Sequence, residues 1–212
     1  MQAKADTPKS LGDSIVLAAR RAQLNDAHVA LLTQYVEMLR ARVGSAAAIP
    51  DFDPWDGGVN ADVLFLLEAP GAKAVESGFV SRNNLDETAK NFFLLNQEAG
   101  IARERTVLWN IVPWYIGTGI RIRPANRADI AQGIGPLAEL LPLLPALRAI
   151  VLVGQKPGAA RRAIVELRPQ VRIFDTPHPS PLFVNNKPGN RGRLLGALND
   201  VASFLGDWEP SA

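Results

Sequence analysis

The chain has no cysteine among its 212 residues. Disulfides, thiolate-held zinc, iron–sulfur clusters and a thiol nucleophile are excluded together. Histidine is almost as scarce. With only His28 and His178 present, a histidine-built metal site is not expected, and any imidazole chemistry falls on one of these two residues. Long apolar runs are missing as well. The opening segment, MQAKADTPKSLGDSIVLAARR, lacks the apolar core of roughly 7 to 15 residues that an export signal requires. The richest apolar stretch, residues 140–153, is broken by Pro142, Pro145 and Arg148 and cannot span a bilayer. A soluble, cytoplasmic, monomeric protein with no membrane partner is expected.

What is present suits a globular chain. The hydrophobic fraction is 47% and no linker stands out, which predicts one domain over residues 1–212. A chain of this size buries roughly 70% of its unfolded surface and needs no staple. Net charge is only +2. Between Arg148 and Arg193, however, nine basic residues face only Glu166 and Asp175, a local excess of +7. That segment reads either as an anion-facing side or as an ordinary solvated face.

Periodicity then sets the organisation. Two helices are expected within residues 10–45, packed on the rest. In the second, Asn25 or Asp26 can act as cap while Leu32, Val36, Leu39 and Val43 recur as one apolar stripe. The turn-rich PDFDPWDGG of residues 50–58 ends the helical region. Apolar runs at 63–67, 106–112, 149–154 and 171–174 lack in/out alternation and read as strands buried on both faces. Helical patterns lie between and after them, near 85–99, 127–141, 156–167 and 191–205. The alternation predicts an α/β fold, a three-layer α/β/α arrangement around a mainly parallel four-stranded sheet. Ligands bind such sheets beyond the carboxyl ends of the strands.

Three of these strands run into polar residues. Glu68-Ala69-Pro70-Gly71 follows the first, Asn110-Ile111-Val112-Pro113-Trp114 the second, and Pro177-His178-Pro179-Ser180-Pro181-Leu182 the last. A carboxylate, a carboxamide and an imidazole would converge on one edge. Taken singly, Glu68 suits a helix start, Asn110 a turn and His178 a surface loop. GQKPG at residues 154–158 lacks the spacing and the Lys-Ser/Thr end of a P-loop.

Together the segments resemble the uracil-DNA glycosylase superfamily from about residue 62 to residue 205. EAPG is similar to its water-activating motif, GFVSR to the segment carrying the phenylalanine on which uracil stacks, WNIVP to its uracil-reading strand end, and HPSPL to its histidine and intercalation loop. EAPG and GFVSR look most like the iron–sulfur branch, whose cysteines this chain lacks. Trp114 stands about where one of them would be, so packing is expected in place of the cluster. Leu67 stands where a glycine is usual, and Ala74 where a further acid is often found, with Glu76 nearby. Gly71 stands where another branch has a tyrosine that excludes thymine.

The resemblance implies a monofunctional enzyme of base-excision repair that flips deoxyuridine out of DNA, releases uracil and leaves an abasic site. Glu68 would handle the attacking water and His178 would stabilise the departing base. Ala69, Phe79 and Asn110 would bind it. Ser180, Lys187 and Arg191 would hold phosphates while Leu182 fills the vacated stack. The partners are uracil-containing DNA, single- or double-stranded, and abasic product DNA; no cofactor and no metal is implied. Other readings remain open at this point. Phe79 and Leu182 would serve equally as core residues, and the whole chain as a silent reader of damaged DNA or as a hydrolase of free nucleosides.

Overall fold

The computed structural model describes residues 6–44, 47–118 and 122–206. Two helices come first, α1 (Ser14–Ala22) and α2 (Ala30–Val43). Asp13 caps α1 by accepting from the Ile15 and Val16 amides. The start of α2 departs from expectation, because neither Asn25 nor Asp26 caps it and Val29 holds the cap position with no side-chain bond. Turns occupy the preceding residues, and the Asp26 carbonyl accepts from both Val29 and Ala30.

The chain continues through β1 (Asp51–Phe52), β2 (Val63–Leu67), α3 (Ala72–Ser77), β3 (Phe79–Val80), α4 (Glu87–Glu98) and β4 (Thr106–Asn110). It ends with α5 (Arg127–Leu140), β5 (Ala149–Val153), α6 (Arg161–Leu167), β6 (Arg172–Thr176), α7 (Pro181–Val184) and α8 (Asn190–Gly206). Four strands form one all-parallel sheet in the order β4-β2-β5-β6. Every residue of β4 and β5 is buried, as expected of runs without alternation. The remaining pair, β1 with β3, is a two-residue parallel ladder that joins the turn-rich residues 50–58 to the GFVSR segment.

Strand alternation assigns the two faces. Phe65 on β2 pairs in register with Leu108 on β4 and meets Phe92 of α4 edge-on at 4.9 Å. Trp109 points the other way, stacked on Phe52 at 4.0 Å and edge-on to Tyr35 of α2 at 6.0 Å. Helices therefore cover both faces, α2 against α5 on one and α4 against α8 on the other. This is the three-layer α/β/α class. Among the described residues no helix is long and apolar enough to cross a membrane.

A buried ionic network ties the N-terminal helices to the loops before β2 and after β3. Asp53 accepts from Arg20, Ser81 and Arg103, while Asp56 accepts from Arg103 at 2.8 Å. Arg20 also lies over the Trp55 ring at 3.7 Å. The neighbouring Arg103 and Arg20 hold Asp53 below the usual carboxylate range despite its burial. Burial dominates at Asp56 and pushes it up to about 6.

Candidate active site

The carboxyl ends of β2 and β4 lie side by side, because Leu67 pairs with Asn110 in the parallel register. Ladder-like bonds continue past them: the Ile111 amide donates to the Leu67 carbonyl and the Val112 amide to the Glu68 carbonyl, at 2.8 and 3.0 Å. From behind, α5 presses against this turn through Gly133. A Cβ there would sit 1.8 Å from the Ile111 carbonyl oxygen, so only glycine permits the approach.

β6 lies two strands away from β2, yet His178 returns to the same place. The route crosses the end of β5 at Gly154, whose φ of +85° favours glycine and whose added Cβ would lie 3.2 Å from the His178 Cβ. Beyond it the loop is tied to α4, since Asn91 Nδ2 donates to the Pro179 carbonyl at 3.0 Å.

These ends enclose a cavity of about 480 Å³. Glu68, Ala69, Asn110 and His178 all line it, with Leu67, Val80, Phe92 and Leu108 as apolar wall. Asn110 is 3% exposed and among the described residues its Nδ2 has no hydrogen-bond partner. Glu68 Oε1 accepts from the Ala125 amide at 2.6 Å. His178 is half-buried, and loss of solvent pulls its pKa below the ordinary histidine value, against the opposing pull of Glu68 and Asp86. The other histidine takes no part, because His28 Nε2 is engaged with the Pro54 carbonyl at 2.7 Å.

Phe79 requires a correction. Its side chain does not line the cavity; it packs at 1% exposure against Leu11 and Val16 beside the N-terminal helices. Successive residues of a strand face opposite ways, so on β3 it is Val80 that reaches the cavity. The aromatic ring lining the cavity is Phe92. Glu76 is also outside, exposed and ion-paired with Lys73 at 2.6 Å.

The late loop carries the remaining expected residues. Ser180 caps α7, its hydroxyl accepting from the Phe183 amide at 3.3 Å. Leu182 is 82% exposed, which excludes the core reading. Lys187 is exposed. Arg191 is already paired with Glu98 of α4, so a phosphate would have to displace that carboxylate. Exposed pairs of this kind contribute about 0 to 1 kcal/mol, which makes the exchange easy. The basic excess of residues 148–193 does not form one uniform face. Arg161 pairs with Asp175, Arg162 with Glu166, and Lys156 binds a backbone carbonyl.

Several cavity residues are given no role by the sequence, although Ser81 and Arg82 lie within GFVSR. Ser81, Arg82 and Asn84 are buried polar side chains, and Asp86 and Arg123 line the cavity as well. The run Ser81-Arg82-Asn83-Asn84 has the composition of a solvated loop. Only its place just after GFV marks it in the sequence.

The fold and site define an α/β protein with a cavity at its strand ends lined by a carboxylate, a carboxamide and an imidazole, and comparison with known proteins gives that class a family. The family model of the "Uracil DNA glycosylase superfamily" matches residues 54–202. The chain belongs to this superfamily. No curated protein matches it. Among solved structures it is similar to a chain described as a "putative Uracil DNA glycosylase from Methanosarcina acetivorans", determined by solution NMR. The identity is 15% and the TM-score 0.46, over 67% of this chain and 91% of that one.

Proposed function

We propose that the protein is a monofunctional uracil-DNA glycosylase that hydrolyses the N-glycosidic bond of deoxyuridine in DNA. The observation that carries this reading is the Asn110 Nδ2, buried and without a partner among the described residues, in a cavity that Glu68 and His178 also line. Leaving a buried donor unpaired costs about 1 to 3 kcal/mol, a cost that a ligand acceptor removes. Uracil offers O4 as acceptor beside N3–H as donor, and a carboxamide presents the complementary pair. Cytosine inverts both groups and is rejected by the same geometry. Val80, Leu108 and Phe92 give the base an apolar enclosure.

Extruding the nucleotide costs a few kcal/mol. The exposed Leu182 offsets part of this by entering the vacated stack, and Lys187 and Arg191 contact flanking phosphates. Water then attacks C1′ as the C1′–N1 bond breaks. Positive charge grows on the sugar and negative charge on the base. A neutral His178 donates to uracil O2 and stabilises the anion. Glu68 orients the water and takes its proton; that proton finally resides on N1 of released uracil, and the hydroxyl remains on the abasic sugar.

A labelled oligonucleotide with one uracil, incubated with the protein and treated with alkali, tests the reading. A break at the uracil position is expected. Tight binding of abasic DNA without base release would identify a silent reader instead, and release from free deoxyuridine but not from DNA would identify a nucleoside hydrolase.

A further inference from the structure

The segment GQKPG, which follows β5 and is not a phosphate loop, touches both ends of the chemistry. Gly154 lets His178 pass over the strand end, as described above. Two residues later, Lys156 Nζ donates to the Ala125 carbonyl at 2.7 Å, and the amide of the same Ala125 donates to Glu68 Oε1 at 2.6 Å. Ala125 is 1% exposed. Its two backbone groups therefore join an ammonium on one side to a carboxylate on the other.

Resting on the reading of Glu68 as the water-handling residue, we infer that Lys156 is a positioning residue for Glu68, acting through the backbone of Ala125. The lysine does not line the cavity and touches no reacting atom. Among the described residues its hydrogen-bond partner is this neutral carbonyl, and it forms no ion pair with a carboxylate. On the far side of the bond, residues 122–126 belong to no helix and to no strand of the sheets. They are held instead by a capping box, in which the Asn126 side chain accepts from the Asp129 amide and the Asp129 side chain from the Asn126 amide. Arg123 clamps the same Asp129 with bonds of 2.6 and 2.8 Å. Lys156 closes this frame on its remaining side. Glu68 Oε1 is then fixed by a donor that cannot drift, and among the described residues Oε2 has no protein donor, so it is left for water. A displacement of about 1 Å at such a group costs on the order of a hundredfold in rate.

The test is a double-substitution cycle with single-turnover kinetics on uracil DNA. Lys156→Met is expected to lower the maximal single-turnover rate about ten- to a hundredfold with DNA affinity and melting temperature nearly unchanged, while Lys156→Arg, which keeps a charged donor, restores most of the rate. Because the lysine acts through Glu68, adding Lys156→Met to Glu68→Gln should change the rate by less than about twofold. Equal losses in both backgrounds, or no loss in the wild-type background, would overturn the inference. If the unmodified protein releases no base, the reading of function fails, and hydrogen exchange of the Ala125 amide decides the brace by itself. Faster exchange in Lys156→Met than in wild type supports it; unchanged exchange refutes it.

Discussion

Trp109 and Asn110 are neighbours on one strand, and the two faces they enter are finished differently. Trp109 meets Phe52 and Tyr35, and the Tyr35 hydroxyl donates to the Pro136 carbonyl at 2.8 Å. That face is filled and its polar tip is paired. Asn110 enters a cavity of about 480 Å³ with an amide nitrogen that no group of the described residues satisfies. One face holds the sheet together, whereas the other gives up packing and a hydrogen bond where a ligand can supply both.

The largest effect should come from breaking the filled face. Trp109→Ala is expected to cost about 3 to 5 kcal/mol of stability, read by chemical denaturation, and to lower every activity in proportion to the folded fraction. The open face should respond in rate and not in stability. On the proposed function, His178→Ala removes one donor to the leaving base and should slow single-turnover cleavage about a hundred- to a thousandfold, with DNA binding and melting temperature nearly intact. A melting loss large enough to account for the rate would remove the distinction between the faces.

Leu182→Ala should give a smaller, substrate-dependent effect. At 82% exposure the side chain supports no core, so the melting temperature should not move. Excision from duplex should fall several-fold more than excision from single strand, which has little stacking to replace; equal losses on both substrates would reject the wedge role. Phe79→Leu sharpens the comparison from the opposite direction, with a stability cost below about 1.5 kcal/mol and an unchanged rate per folded molecule. A selective loss of rate would return Phe79 to the base.

The pH dependence of stability separates the half-buried His178 from the buried Asp56 by sign. His178 has a lowered pKa in the folded state, so its contribution is present above the unfolded value of about 6.5 and is lost as pH falls through the folded value. Asp56 is raised to about 6, so its contribution is present below the unfolded carboxylate range and is lost as pH rises through about 6. Melting curves of His178→Gln and Asp56→Asn should each lose one of these opposing slopes. A wild-type slope in either variant would contradict the assignment.

Much of this architecture is legible in the chain. β2 falls on the apolar run at 63–67, and the run 106–112 contains β4, although the strand stops at Asn110 where the backbone turns toward the cavity. The late run is displaced, because β6 covers Arg172–Thr176, an edge strand with Arg172 and Asp175 exposed, and exposed charges hide a strand from hydropathy. The segment 156–167 gives a 3-10 turn at Pro157–Ala160 before α6. The β1 and β3 pair has two residues per strand and shows no period at all. That pair is what turns Phe79 away from the cavity. Glu68, Asn110 and His178 are readable because each lies within or shortly after an apolar run. Lys156, Asp86 and Arg123 reach the site or its support through loop geometry, which leaves no spacing signal.

The central claim is that the open face reads the edge of a base through Asn110. Asn110→Asp tests it most directly, because an ionised aspartate has acceptors only, repelling uracil O4 while accepting from the amino group of cytosine. Single-turnover excision should be measured on uracil and cytosine oligonucleotides beside a thermal melt. The account predicts collapse of uracil release, a gain in cytosine release relative to uracil, and a melting temperature close to wild type. Uracil kinetics unchanged from wild type in a folded Asn110→Asp protein would contradict it.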